Sequence, residues 1–192
     1  MKKILLTFAC FVIAISLAKA QSASPSMTLI TTAFEDGGII PIKYSQAAEG
    51  AAPGEGTSPT LSWANAPAGT KSFVLHMHDL DFVHNKTTDD QVHWLVWNIP
   101  AYKTGLPEGI PKGTQMSDSS YQISVTGPVY RGPGAAANGP LHHYIFELFA
   151  LDTTLNMEPA ADAFQTRSIV MKAMQGHILG RVAYTGRFRR PQ

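Results

Sequence analysis

The chain is poor in the residues on which many small proteins rely. It holds a single cysteine, Cys10, in 192 residues. No disulfide can therefore form within it, and stability has to come from a buried core and a hydrogen-bonded backbone. Charge is also sparse, with 15 basic and 14 acidic residues, which argues against nucleic acid as a partner. The one basic cluster, Arg187, Arg189 and Arg190, is too short to change that and reads as a solvated tail. There is no Gly-x-Ser-x-Gly elbow, no His-Glu-x-x-His pair and no internal repeat, so the common hydrolase and zinc-protease signatures are missing.

Long hydrophobic runs are missing too, except near the start. Ile4 to Leu17 is apolar, follows Lys2 and Lys3, and ends in Ala18-Lys19-Ala20. A positive n-region, an apolar h-region and a small-x-small site make a secretory signal, with cleavage expected after Ala20. The run is shorter than the ~20 residues of a spanning helix and Lys19 closes it, which argues against a retained anchor. Thr7, Phe8 and Ala9 lack the pattern that precedes a lipidated cysteine, so Cys10 is set aside. The expectation is a signal peptide over 1–20 and one domain over 21–192, periplasmic or secreted, with no transmembrane segment after cleavage. Loss of Lys2, Lys3 and Lys19 leaves 12 basic against 14 acidic residues, a formal net charge of −2.

What remains is strand-like. Met27 to Thr32, Thr60 to Trp63, Ser72 to Asp79, Val92 to Ile99, Leu141 to Ala150 and Arg181 to Phe188 read as strands, with a second apolar run at Ile39, Ile40 and Ile42 after the Gly37-Gly38 turn. Gln46 to Ser58 reads as an exposed loop, and Tyr102 to Thr126 as turn-rich surface excursions. Pro159 to Leu179 carries an approximate helical stripe closed by Gly180. In the third strand Phe73, Leu75, Met77 and Asp79 share one face and Val74, His76 and His78 the other. Asp79 thus ends an apolar face, where a carboxylate needs donors. His93 opens a strand that is apolar on both faces, a context for an imidazole satisfied by a backbone partner. In the fifth strand His142 and Tyr144 share a face, opposite His143 and Glu147. Two imidazoles, a phenol and a carboxylate at strand ends could serve a small anion, phosphate or a phosphomonoester among them.

Ordered along the chain are SPTLSW (Ser58 to Trp63), PAGTKS (Pro67 to Ser72), Asp79-x-Asp81, HWLVWNIP (His93 to Pro100), YRGP (Tyr130 to Pro133) and HHYIFELFALD (His142 to Asp152). This set resembles the phosphatidylethanolamine-binding protein family, in its bacterial, Raf kinase inhibitor-like branch. The resemblance implies an all-β, mainly antiparallel sandwich of sheets with a small peripheral helix towards the C-terminus. It also implies a pocket for phosphate, acetate or a phosphoethanolamine headgroup, without a cofactor. Carried over by position, its ligand-binding residues are Asp79, His93, Gly132, Pro133, His142 and Tyr144. Two departures stand out. The family's Asp-Pro-Asp-Ala-Pro is Asp79-Leu80-Asp81-Phe82-Val83 here, and its Gly-Pro-Cys-Pro-Pro is Gly132-Pro133-Gly134-Ala135-Ala136. The first removes two prolines and makes the rim more apolar.

Three kinds of function follow. One is an exported, non-catalytic binding protein for a phosphate-bearing or other small anionic ligand, such as a phospholipid headgroup. A second is a hydrolase or metal-dependent enzyme using the His and Asp groups, since six of the seven histidines lie between His76 and His143. Within it, His76-x-His78 offers two ligands on one strand face, short of a complete zinc site. The third is a regulatory protein that binds another protein through the pocket rim.

Overall fold

The computed structural model describes residues 26–192, so the signal assignment over 1–20 lies outside the described residues. Within that range the strands are β1 (Thr28–Ile30), β2 (Gly38–Ile39), β3 (Leu61–Ala64), β4 (Ser72–Asp79), β5 (Gln91–Pro100), β6 (Gly105–Leu106), β7 (Tyr121–Ile123), β8 (His142–Leu151) and β9 (Ile178–Phe188). One α-helix, α1 (Ala163–Ala173), lies between β8 and β9. The fold is all-β with a small peripheral helix. No helix among the described residues is long and apolar enough to cross a membrane.

Two sheets form. β1, β3 and β6 make a three-stranded antiparallel sheet, and a six-stranded sheet runs in the order β2-β9-β8-β4-β5-β7. All pairings in the larger sheet are antiparallel except β2 with β9. β4, β5 and β8 are buried on both faces because each face meets a separate core. On one face Phe73, Leu75, Met77, Trp94, Val96, Phe146 and Leu148 pack against Leu29, Leu61, Trp63 and Leu106 of the small sheet. On the other, Val74, Leu95, Trp97, Phe149 and Leu151 pack under Val170 and Met174, from α1 and its C-terminal end. At the sheet's edge β2 pairs in parallel with β9, and just beyond it the Ile40 side chain packs so closely that a Cβ on Gly186 would stand 2.5 Å from it.

Two irregularities in β5 break the alternation assumed from sequence. Between Met77 and His78 the partner steps from Trp94 to Val92, and between Phe73 and Leu75 it steps from Ile99 to Val96. Each step inserts extra residues opposite β4, as a β-bulge does. Trp94, Val96 and Ile99 consequently share one core while Leu95 and Trp97 face the other. The first bulge releases His93 from strict alternation, and its ring stands edge-on to Tyr144 with centroids 5.0 Å apart.

The helix is shorter than the apolar stripe suggested. It starts at Asp162, whose side chain accepts from the Gln165 N–H, and not at Pro159. It ends before Gly176, whose positive φ of 83° turns the chain. Ile178 and Leu179 then belong to β9. The turn-rich stretch from 102 to 126 also contributes two short strands, β6 and β7, which carry too little sequence for a pattern.

Candidate functional site

The pairing of β4 with β8 places Asp79 opposite Tyr144 at one end of the sheet. The bulge in β5 and the loop that follows Tyr130 close on the same place. Together they form a cleft of about 280 Å³ into which Asp79, His93, His142 and Tyr144 all project, four of the six residues singled out by sequence. The other two stand behind the wall. A Cβ on Gly132 would lie 2.7 Å from the Ser45 carbonyl carbon. The Gly132 and Pro133 carbonyls accept from the Gln46 side-chain amide and backbone N–H. Glycine there lets the two loops touch, and the lining falls to Gly134, Ala135 and Ala136.

Hydrogen bonds fix how each ring meets the cleft. His142 Nδ1–H donates to both Asp79 oxygens at 2.8 and 3.0 Å, and Asp79 Oδ1 also accepts the Asp81 N–H at 3.0 Å. The carboxylate is thus held from both sides and fixes the His142 ring, leaving Nε2 as its free nitrogen. His93 Nδ1 lies 3.0 Å from the Arg131 carbonyl oxygen, which can only accept. The backbone partner expected for this histidine therefore exists, and Nε2 remains its free nitrogen. Burial drives the His93 pKa down to about 3, so the ring is neutral and Nε2 is an acceptor. The Tyr144 hydroxyl accepts the Gly134 and Ala135 N–H groups at 3.1 and 3.2 Å. Burial first, and the Asp79 charge second, push its pKa upward, so the phenol keeps its proton as a donor.

Three polar side chains join the site without a mark in the sequence pattern. Gln46, Gln91 and Arg131 line the cleft. Gln46 sits in a loop without periodicity and Arg131 beside the better-marked Gly-Pro, so neither offered a local signal. The Arg131 guanidinium turns towards Thr126, at 2.8 Å. Phe82 lines the cleft as well, and with Leu80 and Val83 it forms an exposed apolar rim. The C-terminal arginines are more than a solvated tail. The Arg190 N–H donates to the Ala135 carbonyl and Arg189 reaches the Gly139 carbonyl, so this segment braces the cleft loop.

His76 and His78 are not part of this cleft. They project from the opposite face of β4, and Glu147 of β8 is directly paired with His76. His93 and His142 in the cleft and His76 and His78 on the opposite face thus form two separate groups on one sheet.

The family model for phosphatidylethanolamine-binding proteins matches residues 30–189. The chain belongs to this family. A UPF0098 protein of Methanothermobacter thermautotrophicus is 39% identical over 166 residues, covering 85% of this chain and 99% of that one. The UPF0098 protein YbhB of Escherichia coli is 36% identical over 128 residues, 66% of this chain and 78% of its own. Among solved structures, a Chlamydia trachomatis homologue of phosphatidylethanolamine-binding proteins superposes with a TM-score of 0.68 at 29% identity, covering 86% and 98% of the two chains. The E. coli protein YbcL, at 22% identity and a TM-score of 0.70 with 86% and 99% coverage, shares the fold. Family membership fits a ligand-binding protein.

Proposed function

We propose that this family member is an exported, non-catalytic binding protein whose cleft takes a small oxyanion, either phosphate or a phosphomonoester such as a phosphoethanolamine headgroup. The observation that carries the reading is the convergence of His142, Tyr144 and His93 on one cleft, with Asp79 holding His142 from behind. His142 Nε2–H and the Tyr144 hydroxyl donate to the anion. His93 Nε2 takes a proton, either from solvent as the anion binds or shared from a protonated ligand oxygen. Its role is therefore that of a proton acceptor on binding and not of a ready-made donor. The pattern of residues 1–20 supports a periplasmic or secreted location, which fractionation and N-terminal sequencing of the mature protein would test.

Calorimetry with inorganic phosphate and O-phosphoethanolamine tests the ligand. Wild type should bind at least one of them and a His142→Ala variant should bind more weakly. Equal binding by the two proteins, or none by wild type, removes the assignment. Release of phosphate from phosphomonoesters, lost in His142→Ala, would favour an enzyme. The exposed rim of Leu80, Phe82 and Val83 supports a second reading, a protein partner docked over the cleft. Such a partner should be displaced by phosphate in a pull-down.

A further inference from the structure

On the face of the six-stranded sheet that looks away from the cleft, the structure holds a second polar cluster with a different logic. Among the described residues, His76, His78 and Glu147 bring three potential donor atoms within 4.8 Å of one another. His76 and His78 are two apart on β4, so both rings leave the same face, stacked with centroids 4.5 Å apart and planes 4° from parallel. Glu147 stands across from His76 in the β4–β8 ladder. His76 Nδ1 lies 3.7 Å and His78 Nε2 3.5 Å from Glu147 Oε2. Both separations are too long for hydrogen bonds. They are close to the ~3.3 Å between neighbouring ligand atoms around a tetrahedral ion with bonds of ~2.0–2.1 Å.

The polar atoms are otherwise unaccounted for. His76 is 4% exposed, and neither of its ring nitrogens has a hydrogen-bond partner. The buried His78 Nε2 has none either. A buried imidazole with both nitrogens idle is costly as pure structure, and two stacked rings repel if both are charged. The surroundings hold two of the three ligands in place. His78 Nδ1 is bonded to the Asp90 carboxylate, Asp90 is held by Arg167 of α1, and the other oxygen of Glu147 is held by Arg181. A carboxylate on the far nitrogen of a metal-binding imidazole is the usual means of orienting it.

We propose that His76, His78 and Glu147 form a three-ligand site for a zinc-type divalent cation, with Asp90 as the positioning residue behind His78. Two imidazoles and a carboxylate suit zinc, and three protein ligands leave one position of a tetrahedron for water or another donor. The site is independent of the anion cleft and goes beyond the proposed function.

The test uses protein purified without a histidine tag, stripped with chelator and titrated with Zn²⁺ alone by calorimetry, and with Co²⁺ while visible absorption is recorded. One equivalent should bind, with the intense bands of tetrahedral cobalt(II). His76→Ala and Glu147→Gln should abolish stoichiometric binding, and Asp90→Asn should weaken it ~10–100-fold. His177→Ala, at an exposed histidine paired with Asp152, should leave it unchanged. If a variant fails to fold, the wild-type cobalt spectrum decides alone. Less than one equivalent, an octahedral spectrum, or undiminished binding in a folded Glu147→Gln variant would overturn the proposal. Phosphate binding should be the same with and without Zn²⁺, so failure here and failure of the anion cleft are read separately.

Discussion

The two faces of the six-stranded sheet carry nearly the same side chains and use them differently. In the cleft, His142 gives Nδ1 to a carboxylate and His93 gives Nδ1 to a carbonyl, so each ring is fixed and one nitrogen of each is free. On the opposite face His78 is fixed in the same way by Asp90, but His76 has no partner at either nitrogen. The cleft is open to small molecules and its backbone loops supply a wall. The other cluster is backed by Asp90, which Arg167 of α1 holds. What would separate the proposed anion cleft from the proposed cation site is the partner each imidazole has been given, with the same residue type in both.

The faces are separate as sites but share one sheet, so a core substitution should damage both. Trp94 is fully buried beneath the cleft, and its indole N–H donates to Gln122 at 2.9 Å. Trp94→Ala should cost ~3–5 kcal/mol and leave a buried amide oxygen without its donor. Urea unfolding measures it, and a loss below ~1 kcal/mol would show that the core relaxes around the gap.

A site substitution should damage one face only. His142→Ala removes a charge-assisted donor and leaves Asp79 short of a partner. Phosphate affinity should fall ~10–100-fold, as expected for ~1.5–3 kcal/mol from a hydrogen bond to a charged group, while zinc binding stays as in wild type. If calorimetry finds both lost, the two faces are coupled through β4 and β8 and are not independent.

How much of this could be read in the sequence depends on the distance between the residues involved. Alternation placed Asp79 on the inner face of β4 and His142 with Tyr144 on one face of β8, because a period of two needs only local sequence. It likewise put His76, His78 and Glu147 on outer faces, yet left a two-ligand fragment. The missing fact was register: nothing local says that residue 147 stands across from residue 76. The bulge that frees His93 is equally invisible, since it exists only relative to β4. The resemblance marked His93, Gly132 and Pro133 by position, but only the loop contact with Ser45 and Gln46 shows that the last two support the cleft from behind.

A change of pH separates the neutral His93 imidazole of the folded state from its unfolded counterpart. Burial holds His93 at about 3, against an ordinary value of 6.5. The unfolded chain takes the proton first, so the folded state keeps its full stability above pH 6.5 and loses it as pH falls towards 3. The cost approaches ~1.4 kcal/mol per pH unit within that window. His93→Gln should show a shallower loss between pH 7 and 5 in urea unfolding, and an unchanged slope would mean that the ring is not held neutral. Binding has the opposite sense. A proton taken up with the anion makes phosphate affinity rise as pH falls through the same range, by at most about tenfold per unit. That gain should vanish in His93→Gln.

The smallest effect belongs to the C-terminal arginines, where the cleft loop meets the solvent. Arg189 is exposed and reaches Gly139 with one bond of 3.2 Å. The neighbouring contact, from the Arg190 N–H to Ala135, is made by the backbone and survives any side-chain change. Arg189→Ala should therefore alter stability by no more than ~0.5 kcal/mol. Its charge is tied to Gly139, three residues beyond the cleft-lining Ala136. A long-range contribution of that kind is screened beyond ~8 Å at physiological salt and reaches much further at ~0.01 M. Phosphate titrations should thus give the same affinity for wild type and Arg189→Ala at high salt and a modest deficit for the variant at low salt. A deficit that persists at high salt would place the guanidinium in direct contact with the ligand, and the basic C-terminus would then be part of the cleft itself.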